Sequence, residues 1–222
     1  MVSKMNRPKI IINCAMSADG KIALPNKTQM RISSELDMKR VYNLRNSCDA
    51  VLVGIGAVLS DDPKLTVKEK YVETPRQPIR IVLDTYCKTP TDALVVNEKA
   101  KTILCCKENN EKKIFQDNVE ILICKNNQQN HLDLHDLLNK LTQKGIRSIL
   151  IEGGGTIIWS FLKERLVDDL YVYIGPIIIG GKQTPTMADG MGITNADDAI
   201  PLNIKNIEPQ DNGVLMHYQL RE

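Results

Sequence analysis

The chain has 222 residues, which on a prior of roughly 150 per domain allows one large domain or two small ones. Hydrophobic residues make up 42% and charged residues 25%, the proportions of a globular chain, so collagen-like, disordered and coiled-coil architectures are excluded. Twenty-nine basic residues against 27 acidic ones, with only 4% aromatics, supply neither a phosphate-tracking surface nor base-stacking platforms, which argues against nucleic acid as a partner.

In chain order, Lys9 to Met16 reads as a strand closed by the turn residues Ser17-Ala18-Asp19-Gly20. Ser33 or Ser34 offers a helix N-cap, with Glu35 and Asp37 in the first turn where the helix dipole favours them, and the helix runs to about Arg45. Ala50 to Val53 is a short β-branched run ended by Gly54-Ile55-Gly56, and Asp61-Asp62-Pro63 stops a short helix after it. Strands are predicted at Ile79 to Leu83, Thr102 to Cys106 and Glu120 to Cys124, with a short polar helix near Asn110 to Asp117. Leu134, Leu137, Leu138 and Leu141 repeat at i, i+3, i+4, i+7, so Leu132 to Lys144 is an amphipathic helix ending at Gly145. Ser148 to Ile151 is a strand that leads into Glu152-Gly153-Gly154-Gly155 and a helix from Thr156 to Glu164. Asp169 to Ile174 and Gly213 to Leu220 are strands with little helix between them.

Alternation of strands and helices over short connections implies βαβ units and a largely parallel sheet, with a closing antiparallel strand pair. No linker separates two cores, so residues 1–222 read as one domain. The six cysteines form no C-x-x-C pair and sit mostly in or beside strands, as reduced core residues of a cytoplasmic protein. No apolar run reaches the roughly 18 residues of a membrane span, and no signal-peptide core follows the charged N-terminus.

Ligands of open parallel sheets bind outside the carboxyl ends of the strands, where both glycine clusters fall. Gly153-Gly154-Gly155 lets backbone N–H groups approach a phosphate at a helix N-terminus; the alternative is a tight turn between closely packed helix and strand. Gly54-Ile55-Gly56 is weaker, because position 59 is Leu59 where the dinucleotide fingerprint needs glycine. Asp61, Asp84 and Glu152 are the carboxylates at strand ends. His131 and His135 stand at i, i+4 without the Glu of a metalloprotease helix and read as a solvated helix start, so no metal site is assigned.

The strings Met16-Ser17-Ala18-Asp19-Gly20-Lys21-Ile22-Ala23, Arg31-Ile32-Ser33, Val53-Gly54-Ile55-Gly56, Asp61-Asp62-Pro63-Lys64-Leu65-Thr66, Pro78 to Asp84, Glu152 to Thr156, and Gly175-Pro176 with Gly180-Gly181 resemble the reductases of riboflavin biosynthesis. The resemblance runs over nearly the whole chain in order. It implies a dihydrofolate reductase-like, three-layer α/β/α fold with a mostly parallel central sheet and an antiparallel C-terminal strand pair. It also implies a stand-alone, homodimeric reductase domain, since the deaminase motifs H-x-E and P-C-x-x-C of the fused bacterial relatives do not occur in this sequence. The implied cofactor is NADPH, with NADH the alternative, and the implied substrate is a phosphorylated pyrimidine whose ribosylamine is reduced to a ribitylamine. By the same resemblance the substrate meets Asn13, Ser33, Lys68 and Glu152. The cofactor meets Gly56, Ala57, Asp61, Leu83, Asp84, Thr85, Gly153, Gly154, Gly155 and Thr156, and Asp61 is the candidate for proton transfer. Asn13 stands where bacterial relatives carry Lys, Lys68 where they carry Arg, and Ala57 where a Thr is common. The alternatives are a dihydrofolate reductase-like enzyme acting on another pteridine or pyrimidine, and a non-catalytic nucleotide sensor.

Overall fold

Aliphatic runs of four to nine residues, broken by Gly, Pro and Asp, set the rhythm of the chain. In the computed structural model, which describes residues 7–26, 28, 30–108 and 113–221, they become β1 (Lys9–Ser17), α1 (Glu35–Ser47), β2 (Ala50–Gly54), α2 (Ile55–Asp61), β3 (Ile79–Leu83), β4 (Thr102–Cys106), β5 (Val119–Ile123), α3 (Leu134–Gln143), β6 (Ser148–Ile151), α4 (Gly155–Lys163), β7 (Asp169–Gly175), β8 (Leu202–Gln210) and β9 (Gly213–Leu220). Strands β3, β4 and β6 coincide with the sequence prediction residue for residue. The chain divides into two compact units, one formed by residues up to Lys9 with Asn43–Leu150, the other by Ile10–Tyr42 with Ile151–Glu222.

In the first unit the strands follow the order β5-β4-β3-β2-β6. Neighbours β2 and β3, β3 and β4, and β4 and β5 are parallel. Every residue of β2 and β4 is buried, as continuous aliphatic runs require when both faces of a parallel sheet are covered. Helix α3 turns its leucine stripe, Leu134, Leu137, Leu138 and Leu141, inward, and Asp133 caps it by accepting from the His135 and Asp136 N–H groups. His131 and His135 are exposed beside that cap, the solvated helix start read from the sequence. The predicted helix at Asn110 to Asp117 is not found: residues 113–116 carry no regular structure and Asp117 lies in a turn, while residues 109–112 lie outside the described residues.

In the second unit the order is β1-β7-β9-β8. Strands β1 and β7 are parallel, and β9 runs antiparallel to both β7 and β8. Strand β8 is absent from the sequence prediction. A bulge between Ile204 and Asn206 breaks its period-two pattern, Pro209 counts against a strand, and its residues up to Pro209 are exposed. Ser34 Oγ accepts from the Asp37 N–H at 3.1 Å, which selects Ser34 rather than Ser33 as the cap of α1. The six cysteines are all buried, free thiols. Burial pushes the Cys14 thiol up to about 12. Among the described residues no helix is long and apolar enough to cross a membrane.

Candidate active site

In the first unit the parallel register brings the proposed cofactor residues level. Gly54, the last residue of β2, pairs with Leu83, the last residue of β3, so the start of α2 and the segment Leu83 to Thr85 lie side by side at the carboxyl ends of adjacent strands. Gly54 is the N-cap of α2, and no side chain caps the helix. Among the described residues its first-turn N–H groups receive no cap from the Gly54 position, as an anion site requires. A Cβ at Gly56 would meet nothing within 4 Å among the described residues. Ala57 and Asp61 stand at i, i+4 and share a face of α2. The helix stops at Asp61 because Asp62 takes a left-handed conformation, φ 41°, and its Oδ1 accepts from the Leu94 N–H at 2.7 Å.

Asp84 behaves otherwise than a ligand-facing carboxylate. It is fully enclosed, and its Oδ2 accepts from the Thr89 N–H at 2.6 Å and from Thr89 Oγ1 at 2.7 Å. The side chain closes the loop after β3, and among the described residues its Oδ1 is buried with no hydrogen-bond partner. Lys68 is exposed in the segment that follows the buried run Leu65-Thr66-Val67. That run is pinned by Arg45, which donates to the Thr66 carbonyl at 3.0 Å, and by Gln77, which bonds both ways with Val67.

The second unit holds the other predicted residues. Glu152 is half-buried directly after β6, and Gly153 to Thr156 follow it into α4. Gly153 adopts φ 138°, a conformation open only to glycine, and a Cβ at Gly153 or Gly154 would meet nothing within 4 Å. Gly154 is the N-cap of α4 and again no side chain caps the helix. These features suit a phosphate. Gly155 is glycine for a different reason: a Cβ there would stand 2.5 Å from the Thr186 carbonyl and 2.7 Å from Asp189 Oδ2. The protein's own 186–189 loop, not a neighbouring strand, leaves no room for a side chain at this one glycine.

Asn13 is buried in β1, opposite Tyr171 of β7, and Ser33 precedes the cap of α1. The structure ties Asn13 to that helix through a residue the sequence reading missed. Arg40 donates from Nη2 to Asn13 Oδ1 at 2.6 Å and lies 5.5 Å over the Tyr171 ring. It pairs with Asp37 at 2.6 Å. Tyr171 stacks on His217, with 4.3 Å between ring centroids, and His217 bonds Asp169 at 2.8 Å. The only available sequence signal was the i, i+3 spacing of Asp37 and Arg40 on α1, which many solvated helices share. Among the described residues, no group of three or more His, Cys, Asp or Glu side chains is arranged to hold a metal ion.

Residues 8–216 match the RibD C-terminal domain family. The chain is similar to the 2,5-diamino-6-ribosylamino-4(3H)-pyrimidinone 5′-phosphate reductase of Archaeoglobus fulgidus, 38% identical over 191 residues, covering 83% of this chain and 87% of that one. The reductase of the same name from Methanothermobacter thermautotrophicus is 36% identical over 218 residues, with 97% and 99% of the two chains covered. Among solved structures, the Thermotoga maritima diaminohydroxyphosphoribosylaminopyrimidine deaminase/5-amino-6-(5-phosphoribosylamino)uracil reductase superposes with a TM-score of 0.83 at 25% identity; the match covers 97% of this chain and 57% of that one. The Saccharomyces riboflavin biosynthesis reductase Rib7 shares the fold, with a TM-score of 0.76 at 21% identity over 100% of this chain and 93% of that one.

Proposed function

The chain belongs to the RibD C-terminal domain family, and from that premise we propose that it is an oxidoreductase of riboflavin biosynthesis that reduces 2,5-diamino-6-ribosylamino-4(3H)-pyrimidinone 5′-phosphate to the ribitylamino compound. The observation that carries the reading is the agreement, over 97% of this chain and 99% of its relative, with a reductase named for that substrate. Residues 1–222 act as a single reductase domain in the cytoplasm, with NADPH as the reductant.

When bound, the reduced nicotinamide supplies a hydride to C1′ of the opened ribosylamine. The chain's own residues bind, orient and move protons. Gly56, Ala57 and the backbone of Leu83, Asp84 and Thr85 hold one part of the cofactor, and Gly153, Gly154, Gly155 and Thr156 offer N–H groups to a phosphate. Asn13, Ser33 and Glu152 contact the pyrimidine and its sugar phosphate. Lys68 meets the phosphate as a point charge, where an Arg would give a bidentate fork. Asp61, on the same face of α2 as Ala57, handles the proton that ring opening and reduction require.

The test is NADPH oxidation with the diaminopyrimidinone ribosylamine phosphate, run beside its deaminated counterpart and dihydrofolate. Turnover of the first alone, or of the first well above the others, is the expected result; turnover of dihydrofolate only, or of none with tight NADPH binding, overturns the reading. Asp61→Asn is expected to lower kcat by about a hundredfold or more while NADPH still binds. An unchanged kcat removes Asp61 from the proton step.

The protein also acts as a homodimer in this reading. In the apolar stretch Tyr171 to Ile179, Pro176 and Ile178 are exposed, Ile178 by 73%. Strands β8 and β9 offer a second apolar surface. Across the bulge, Leu202, Ile204, Ile207 and Pro209 pair with Leu220, Tyr218, Met216 and Val214, one apolar row of cross-strand pairs on a single face.

A further inference from the structure

The bonds around Asn13 decide which way its amide faces. A guanidinium has only donors, so the Asn13 atom that meets Arg40 Nη2 at 2.6 Å is the oxygen, Oδ1. Arg40 is itself held in place. Its Nε and Nη2 both donate to Asp37 Oδ1, at 2.9 and 2.6 Å, and the Asp37 side chain is fully enclosed. The guanidinium also lies over the Tyr171 ring, which stacks on His217, anchored in turn by Asp169, which also accepts from Gln219 at 3.0 Å. Among the described residues, every hydrogen bond of the guanidinium goes to Asp37 or Asn13, and its Nη1 is buried without a hydrogen-bond partner. Turning the Asn13 amide over would set its NH2 against a cation that can only donate, a mispairing inside a buried site.

We propose that Arg40 is a positioning residue that holds the Asn13 amide with Oδ1 toward the guanidinium, so that Asn13 presents its Nδ2 protons to an acceptor on the pyrimidine, a ring carbonyl or ring nitrogen. This rests on the reductase reading above. It sharpens it, since an unrestrained amide reads donors and acceptors alike, whereas a clamped one selects for an acceptor.

The test is a double-mutant cycle with Arg40→Lys and Asn13→Ala. Lysine keeps a cation beside the enclosed Asp37, so the fold is not left with an unpaired charge, but a single ammonium cannot reproduce the fork that spans Asp37 and Asn13. Each single variant is expected to raise KM for the pyrimidine about tenfold, as the loss of one oriented hydrogen bond does, with kcat and KM for NADPH within about twofold of wild type. The double variant is expected to be no worse than Asn13→Ala alone. Additive effects, or a change confined to kcat or to NADPH, overturn the proposal. Asn13→Asp is a second arm: it keeps the acceptor for Arg40 and removes the donor, so its thermal midpoint stays at or above that of wild type while KM for the pyrimidine rises. If the wild-type protein turns over no pyrimidine, the reductase reading fails, and nitrogen-15 NMR of the unliganded protein still decides the clamp. Arg40→Lys shifts the Asn13 Nδ2 protons if Arg40 holds the amide, and unshifted resonances overturn the inference.

Discussion

Asp19 shows how a turn residue becomes a lock. Its carboxylate accepts from Ser17 Oγ at 2.6 Å, from the Ile179 N–H at 3.1 Å and from the Gly180 N–H at 2.7 Å. Those bonds, the Ser17 hydroxyl first, draw its pKa down from 3.8 to about 2. A depressed carboxylate pKa adds stability that is complete above the unfolded value and is lost as pH falls through the folded one. Stability should therefore fall between about pH 4 and pH 2 in part through Asp19, and denaturant titrations of Asp19→Asn should show a flatter acid limb than wild type. Arg80 is the opposite kind of residue, a fully enclosed cation whose acceptors among the described residues are all neutral. It donates to Thr102 Oγ1, to Asn97 Oδ1 and backbone, and to the Leu94 and Ala100 carbonyls, and burial lowers its pKa to about 10. It gathers the chain between β3 and β4. Arg80→Met should cost about 3 kcal/mol in urea unfolding, because several enclosed acceptors lose their donor together. The sequence showed Arg80 only as a charge interrupting an apolar strand. Its partners come from a loop whose path local pattern does not determine.

Among the elements, the helices and inner strands were legible because each repeats one environment along its length. The leucines of α3 recur with the helical period, and the inner strands are aliphatic throughout. Asp133 was not singled out in the sequence, yet it binds two N–H groups of α3. Replacing it with alanine should lower stability by about 1 kcal/mol in thermal or urea unfolding. Gly155→Ala tests the reading of the glycine turn. A Cβ 2.5 Å from the Thr186 carbonyl forces the 186–189 loop to move, so the variant should unfold at lower urea than Gly154→Ala, whose Cβ meets nothing within 4 Å. Equal midpoints would mean that the loop yields without cost. Strand β8 escaped the sequence because a one-residue bulge reverses which side chains share a face, and the pattern beyond it reads out of phase.

For the whole molecule, the apolar row on β8 and β9 predicts association. Ile204 is 58% and Ile207 54% exposed in the single chain, an arrangement that soluble monomers avoid. Ile204→Glu with Ile207→Glu should convert a dimer in sedimentation velocity to a monomer, with little change in stability measured on the monomer; a wild-type monomer would set that part of the proposal aside. The chain by itself determined that this is an alternating α/β protein, where its turns fall and which polar residues stand at strand ends, because these depend on composition and on spacings of a few residues. Only the tertiary structure decided that Asp84 closes a loop, that Gly155 yields to the protein's own backbone and that Arg40 reaches Asn13. Each of those contacts joins side chains or backbone whose approach is set by strand register and loop path, and neither is written in the local pattern of any one segment.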